Sequence, residues 1–409
     1  MNVEEMIIEL EKCKEQIAGD IIEMSKIPAI NPRMNGLGEY KRFQWIIQFL
    51  EKRGIQYKLI QVPDSAVEEK VRLNVVVTID GTEDTEKTLW FIAHVDTVNT
   101  GDLDLWNTDP FNPQREGDRI YGLGVEDNSQ SVISQLYTCA ALFENKARAK
   151  CNIGFIFGSD EETGSQYGLH ALLEENIFSN RDEAVVPDGG SPDGSFIEIA
   201  EKSMVWLKFT VKGKQGHAAM PHLGVNACSA GMHLGVELED MLKKEFTSLD
   251  ELFDPPYSTF ELTQKLANVE SPNVMPGNDV FYIDMRILPE FTVDQVVKRI
   301  DEVVKLFTDN HEGIQVHYEF TNRVDAPKPT SSEAEVVQKL LKSLKESGIE
   351  NAYYGGIGGG TCGAILRARD IPAVVWSHLD ELAHQPNEYV KISNIIKDIK
   401  IFLSTIQKY

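Results

Sequence analysis

The sequence predicts an α/β domain built on a mainly parallel, helix-covered sheet, interrupted by an inserted α+β domain. Three observations carry that expectation. Short β-rich runs alternate with helical periodicity through the first half of the chain, the texture changes to long strands near Lys202, and the original texture returns after residue 321. A length of 409 residues also exceeds the size at which a single core stops growing, so two folded units are expected.

The chain begins with a helical stretch in which Ile7, Leu10, Cys13, Ile17 and Ile21 recur at helical spacing, and a second contains Phe43, Ile46, Ile47 and Leu50. The runs "YKLIQV", "NVVVTI", "LWFIAHV" and "NIGFIF" then read as strands, with a helix from about 129 to 143 between the last two. Within the expected insertion, 202–321, "MVWLKFTVKG", "VFYIDMRIL" and "GIQVHYEF" are strands and helices fall near 225–244 and 293–308. The flanking segments, 1–201 and 322–409, form one discontinuous domain that ends with the strand "IPAVVW" and a helix from 391.

Composition narrows the function classes. Lys plus Arg total 40 against 64 Asp plus Glu, a formal charge of -24, and a surface of that sign repels nucleic acid and anionic lipid. No apolar run approaches the length of a bilayer span, and the acidic start "MNVEEM" lacks the basic region of a secretory signal, so a cytoplasmic protein is expected. Five cysteines without CxxC pairing imply reduced thiols, leaving histidine and carboxylate as the ligands for any metal.

Ligands in open α/β sheets bind beyond the carboxyl ends of strands, and the polar residues found there form a short set. "FIAHVDTV" places His94 and Asp96 on one face of an extended segment, and "YGLGVEDNSQ" offers Asp127 in a Gly-rich turn. "GSDEETGS" supplies Glu161 and Glu162, "AVVPDGG" supplies Asp188, and "AHQPNEY" supplies His384. Singly, each has an ordinary reading as a turn or capping residue. Together, two imidazoles and several carboxylates after apolar strands match the nitrogen and oxygen donors of zinc or a similar divalent ion. A dinuclear site also explains why acids stand side by side in "SDEETGS": one is neutralised as a ligand while its neighbour stays free to take a proton.

The motifs "AHVDTV", "YGLGVEDNSQ", "SDEETGS", "VPDGG", "KGKQGHAAMPHLGVNA", "MRILP", "GGGTCGA" and "AHQPNEY" occur in an order that resembles the co-catalytic zinc metallopeptidase and deacylase family, along essentially the whole chain. That family includes carboxypeptidase G, peptidase T, peptidase V-type dipeptidases, acetylornithine deacetylase and succinyl-diaminopimelate desuccinylase. The resemblance implies two divalent ions, zinc or alternatively cobalt or manganese, with Asp127 bridging them, His94 and Asp188 completing one position, and Glu162 and His384 the other. It implies Glu161 as general base, Asp96 as acceptor of the far N–H of His94, and a cis peptide after Asp127. It makes the insertion a dimerisation or lid domain in which His217 stabilises the oxyanion, often from the neighbouring subunit of a homodimer. It gives Arg286 the substrate carboxylate and Asn273 a substrate contact, with close backbone approach at Gly359 and Gly360.

By resemblance, then, the chain hydrolyses an amide bond in a dipeptide or N-acyl amino acid with a free carboxylate. Asp188, at a position that is Glu in the deacylases, leans toward a dipeptidase or aminopeptidase. A deacylase of the acetylornithine or succinyl-diaminopimelate type is the alternative, and Cys362 departs from the Tyr or Asp often found at its position. Two rivals come from other classes. Gly358, Gly360 and Gly363 fit G-x-G-x-x-G with Asp380 downstream, as in a dinucleotide-binding oxidoreductase, and a catalytically silent binding protein could share the scaffold.

Overall fold

The computed structural model describes residues 3–409. It separates into two compact units: residues 3–199, 330–354 and 361–409 form the first, and residues 200–329 with 355–360 the second. The second is wider than the expected 202–321, because its last long strand runs to Val324 and Gly356 donates its N–H to the Leu252 carbonyl at 2.6 Å.

In chain order the first unit begins with α1 (Val3–Lys12), α2 (Lys14–Ser25), α3 (Tyr40–Lys52), β1 (Lys58–Pro63), β2 (Val71–Ile79) and β3 (Asp84–His94). It continues with β4 (Gln114–Glu116), β5 (Arg119–Tyr121), α4 (Gln130–Glu144), β6 (Cys151–Gly158), α5 (Leu169–Glu174), β7 (Glu183–Val186) and β8 (Phe196–Glu201). The second unit contains β9 (Ser203–Lys212), β10 (Gly216–His217), α6 (Ala227–Glu245), β11 (Thr259–Lys265), β12 (Val274–Met275), β13 (Asn278–Ile287), α7 (Val293–Asn310) and β14 (Gln315–Val324). The remainder comprises α8 (Glu335–Glu346), β15 (Tyr353–Ile357), α9 (Cys362–Arg367), β16 (Ala373–Val375), β17 (Tyr389–Lys391) and α10 (Ile392–Ile406). One helix was expected over the first turns of the chain; instead α1 and α2 meet at Cys13, whose ψ of 5° ends the first helical run.

The large sheet has the order β1-β2-β6-β3-β7-β16-β8-β15. Its middle is parallel, through β6 with β3, β3 with β7 and β7 with β16, while β1 pairs antiparallel with β2, and β2 with β6. The run of β6, buried at every position but Asn152, is what a sheet covered on both faces requires. On one face Phe91 packs against Phe155 and against Phe402 of α10, with centroids 5.5 and 5.0 Å apart. On the other, Trp90, Ile92, Ile156 and Val186 pack with Leu172 of α5 and Leu366 of α9. Parallel register places His94 opposite Gly158, so the ends of β3 and β6 deliver their following residues to the same place.

The second unit is an antiparallel sheet of order β11-β13-β9-β14, and β9 and β13 alternate buried and less buried positions as a one-sided sheet must. Leu234 and Leu238 of α6 and Val296 and Ile300 of α7 fill its core with Phe209 and Phe281, which stack with centroids 4.9 Å apart. The chain leaves and re-enters the first unit at adjacent points, where the Thr330 N–H donates to the Ile199 carbonyl at 2.9 Å.

Gly154 shows how tightly the first core is fitted. It lies opposite Trp90 in the β3–β6 register, the Trp90 Nε1–H is fixed by Asp182 at 2.8 Å, and a Cβ at Gly154 would overlap the indole ring. Gly154→Ala should therefore lower stability by about 1–3 kcal/mol, as overpacking does, measured as the shift in urea midpoint against wild type.

Candidate metal centre

Three strand ends and two loops of the first unit meet at one place. His94 ends β3, Glu161 and Glu162 follow β6, Asp188 follows β7, Asp127 lies in the irregular turn 125–129 before α4, and His384 comes from the loop between β16 and β17. His94 Nε2 lies 2.9 Å from Asp127 Oδ1 and 3.3 Å from Asp188 Oδ1. His384 Nε2 lies 3.2 Å from Asp127 Oδ2 and 3.1 Å from Glu162 Oε2. The result is two triads, His94–Asp127–Asp188 and Asp127–Glu162–His384, in each of which the offered ligand atoms lie within 4.8 Å of one another. They share Asp127, whose two oxygens face different imidazoles.

The three adjacent acids do different work. Asp160 adopts a left-handed backbone, φ 65°, which turns its carboxylate inward to accept from Thr163 Oγ1 at 2.6 Å, Asn31 Nδ2 at 3.0 Å and the Tyr167 N–H at 3.1 Å. Arg72, held bidentately by Glu39 at 2.7 and 2.9 Å, stands 3.8 Å from Asp160. Glu161 and Glu162 then open a short 3-10 turn and face the site.

Asp96 departs in detail from the role implied for it. His94 Nδ1 is 3.0 Å from the Asp96 backbone carbonyl and 3.6 Å from its carboxylate, so the main chain is the nearer acceptor for the far ring nitrogen. The Asp96 carboxylate accepts the N–H of Glu161 at 3.0 Å, the N–H of Glu162 at 3.3 Å and Asn31 Nδ2 at 2.8 Å. It fixes the turn that carries the two glutamates.

So many acids in one buried place perturb one another. Burial, then the neighbouring Asp188, hold Glu161 well above the usual carboxylate range, and burial likewise pushes Glu162 up to about 7. Burial also raises Asp188. Asp127 is driven the other way: against its burial, hydrogen bonds from His384 and His94 hold it low. Hydrogen bonds to Asp127 and Glu162 push His384 up to about 10. Converging carboxylates held back from ionising, interleaved with two imidazoles, are a donor set that fits a pair of divalent cations, whose charge would reverse those shifts.

Several supporting residues were missed in the sequence. Glu388 accepts the N–H groups of Gly124 at 2.8 Å, Glu126 at 2.7 Å and Asp127 at 3.0 Å. Glu126 reciprocates by accepting from Asp380 and Leu382, both at 2.6 Å. These two buried acids clasp the loop of Asp127 to the loop of His384. Each stands beside a motif residue, in "VEDN" and "PNEY", which was the only signal available. Asn128 follows a cis peptide, as the resemblance implied, and its amide reaches Asp188 Oδ1 at 2.6 Å. Cys362 is buried with its Sγ 3.9 Å from Glu161 Oε1 and 3.5 Å from Ser165 Oγ.

The other anticipated residues belong to the second unit. His217, in the β10–β12 ribbon, is exposed and its Nδ1 accepts the Ala219 N–H at 3.0 Å. Arg286 on β13 is gripped by Asp284 at 2.8 and 2.9 Å and donates to the Gly358 carbonyl at 2.7 Å. Asn273 is exposed and accepts from Ser271 Oγ at 2.6 Å. At Gly359 and Gly360 an added Cβ would meet only ordinary contacts, at 3.6 and 4.0 Å. The dinucleotide alternative is not supported: β15 lies at the sheet edge and α9 has six residues, whereas that fold binds at the switch point with a long helix.

Comparison with known proteins shows the family and the fold. The model of peptidase family M20/M25/M40 matches residues 90–408. An uncharacterised metallohydrolase of Methanocaldococcus jannaschii is 36% identical over 403 residues, covering 94% of this chain and 97% of the relative. Succinyl-diaminopimelate desuccinylase of Rickettsia massiliae is 25% identical over 390 residues, covering 93% and 96%. Among solved structures, human carnosine dipeptidase 1 shares the fold with a TM-score of 0.77 at 16% identity, over 100% of this chain and 98% of that one. The chain belongs to peptidase family M20/M25/M40 and is a metallohydrolase.

Proposed function

We propose that the protein is a dinuclear-metal amide hydrolase acting on a dipeptide or an N-acyl amino acid with a free carboxylate. The observation that carries this reading is the pair of His–carboxylate triads sharing Asp127, with Glu161 beside them. His94, Asp127 and Asp188 would hold one ion and Asp127, Glu162 and His384 the other. Such a pair supplies Lewis acidity, bringing the pKa of water to about 7 and polarising the scissile carbonyl. Zinc suits the donor set, and cobalt or manganese accept the same ligands.

Glu161 takes a proton from the attacking water and returns it to the leaving nitrogen, so one carboxylate serves as base and then acid. Asp96 keeps its backbone in place. Arg286 has five N–H donors, of which three are engaged by Asp284 and Gly358, and the remaining two can bind a substrate carboxylate end-on. Asn273, Gly359 and Gly360 contribute substrate contacts, and His217 supports the oxyanion.

A dipeptidase or aminopeptidase is favoured by Asp188 at its ligand position, and the deacylase reading by the 25% identity to a desuccinylase along 93% of the chain. Association as a homodimer through the second unit fits the edge position of β11 and the exposed Met232, Val236 and Leu262 beside it. A reducing, cytoplasmic setting fits five free cysteines, and among the described residues no helix is long and apolar enough to cross a membrane.

The metal-loaded protein should turn over at least one of a panel of dipeptides, acetylornithine and succinyl-diaminopimelate; silence across the panel would leave a binding protein. Glu161→Gln should reduce turnover by about 10²–10⁴-fold while metal content by elemental analysis stays at two ions per chain. In the metal-free protein the stability from protonated His384 is fully present below its ordinary pKa of 6.5 and is lost as pH rises through about 10. Ion uptake at pH 7 should accordingly expel a proton from His384, detected as a buffer-dependent heat in calorimetry that disappears in His384→Gln. If His217 acts across a dimer, mixing His217→Ala with Glu161→Gln should restore activity that neither has alone.

A further inference from the structure

Asn31 lies in the first unit at the entry to the turn Pro32–Met34 and is fully buried. Its backbone N–H donates to the Thr97 carbonyl at 3.0 Å and its Oδ1 accepts the Arg33 N–H at 3.0 Å. Both hydrogens of its side-chain amide are committed, one to Asp96 Oδ2 at 2.8 Å and the other to Asp160 Oδ1 at 3.0 Å. Those two carboxylates flank the Glu161–Glu162 turn. Asp96 accepts both of its N–H groups, and Asp160 precedes it in a left-handed backbone.

We propose that Asn31 is a positioning residue for the Glu161–Glu162 turn, acting as one neutral amide shared between two buried carboxylates. The proposal rests on the roles given above to Glu161 and Glu162. The chemistry leaves few substitutes. Two acids facing one buried point need donors between them to be held close, and a desolvated carboxylate that loses one of its donors is costly. Aspartate would add a third negative charge, serine has one donor for two acceptors, and the nearby guanidinium of Arg72 hydrogen-bonds Glu39 and stands 3.8 Å from Asp160, beyond hydrogen-bond reach. An amide gives each acid one donor and adds no charge. It thereby couples the segment that follows His94 to the turn that presents the proposed base, where a displacement of about 1 Å can cost about 100-fold in rate.

Hydrogen exchange read by mass spectrometry, on the metal-free and the zinc-loaded protein, tests this without a substrate. In Asn31→Asp, amides of residues 159–163 should exchange at least about tenfold faster, the scale of one charge-assisted hydrogen bond, with β3 and β6 unchanged. The swap Asn31→Asp with Asp160→Asn restores one amide–carboxylate pair and should recover much of that protection. On a substrate from the panel, kcat should fall with KM within about threefold, the pattern of a lost transition-state interaction. Unchanged exchange at 159–163, or acceleration spread equally over the sheet, would overturn the proposal; if Asn31→Asp does not fold, Asn31→Ser carries the same comparison. Altered exchange in a protein that hydrolyses nothing would keep the role of Asn31 and remove the hydrolase reading instead.

Discussion

The arrangement of the centre depends on one desolvated carboxylate. Asp96 has no exposure to solvent, and it survives there as an anion because two backbone N–H groups, one amide and the His94 ring surround it. Against its burial, His94 and Asn31 hold its pKa low. Each of those partners belongs to a different part of the chain: the end of β3, the turn after β6, and the segment before α3. A buried charge that must be fully satisfied admits few geometries, and that restriction is what aligns His94 with Glu161 and Glu162.

Around that anchor the protein gathers acidic groups where a stability-driven design would avoid them. Glu161, Glu162 and Asp188 are all raised, chiefly by burial, within a chain already carrying a formal charge of -24. The supporting layers are built to withstand this. Glu388 and Glu126 are tied down by backbone donors from each other's loops, and the Arg72–Glu39 pair stands behind Asp160. Cations held between these acids would relieve the repulsion among them.

The candidate ligand set was legible because His94, Glu161, Glu162 and Asp188 come at or just after the ends of apolar strands and Asp127 in a Gly-rich turn, where parallel sheets place ligands, whereas His384, in the loop between β16 and β17, was marked only by "AHQPNEY". The principal strands and helices were legible for the same kind of reason, since their periodicities are local. What escaped were relations that no local pattern encodes. The clasp between Glu126 and Glu388 joins residues 262 apart, and nothing in "PNEY" marks its acid as buried. The work of Asp96 was seen only in part, because its main-chain carbonyl, invisible in a motif, is the closer partner of His94. Cys13 looked like one more apolar helix position, yet the backbone turns there.

The point at which the second unit joins the first has an evolutionary consequence. Ile199 and Thr330 are neighbours through a single backbone hydrogen bond, so 130 residues depart and return across one step of the large sheet. A short connector could span that gap without altering the register of β3, β6 or β7. Descendants of a common ancestor can then gain, shrink or replace the intervening cassette while the strand ends that carry the candidate ligands pass unchanged from one lineage to the next.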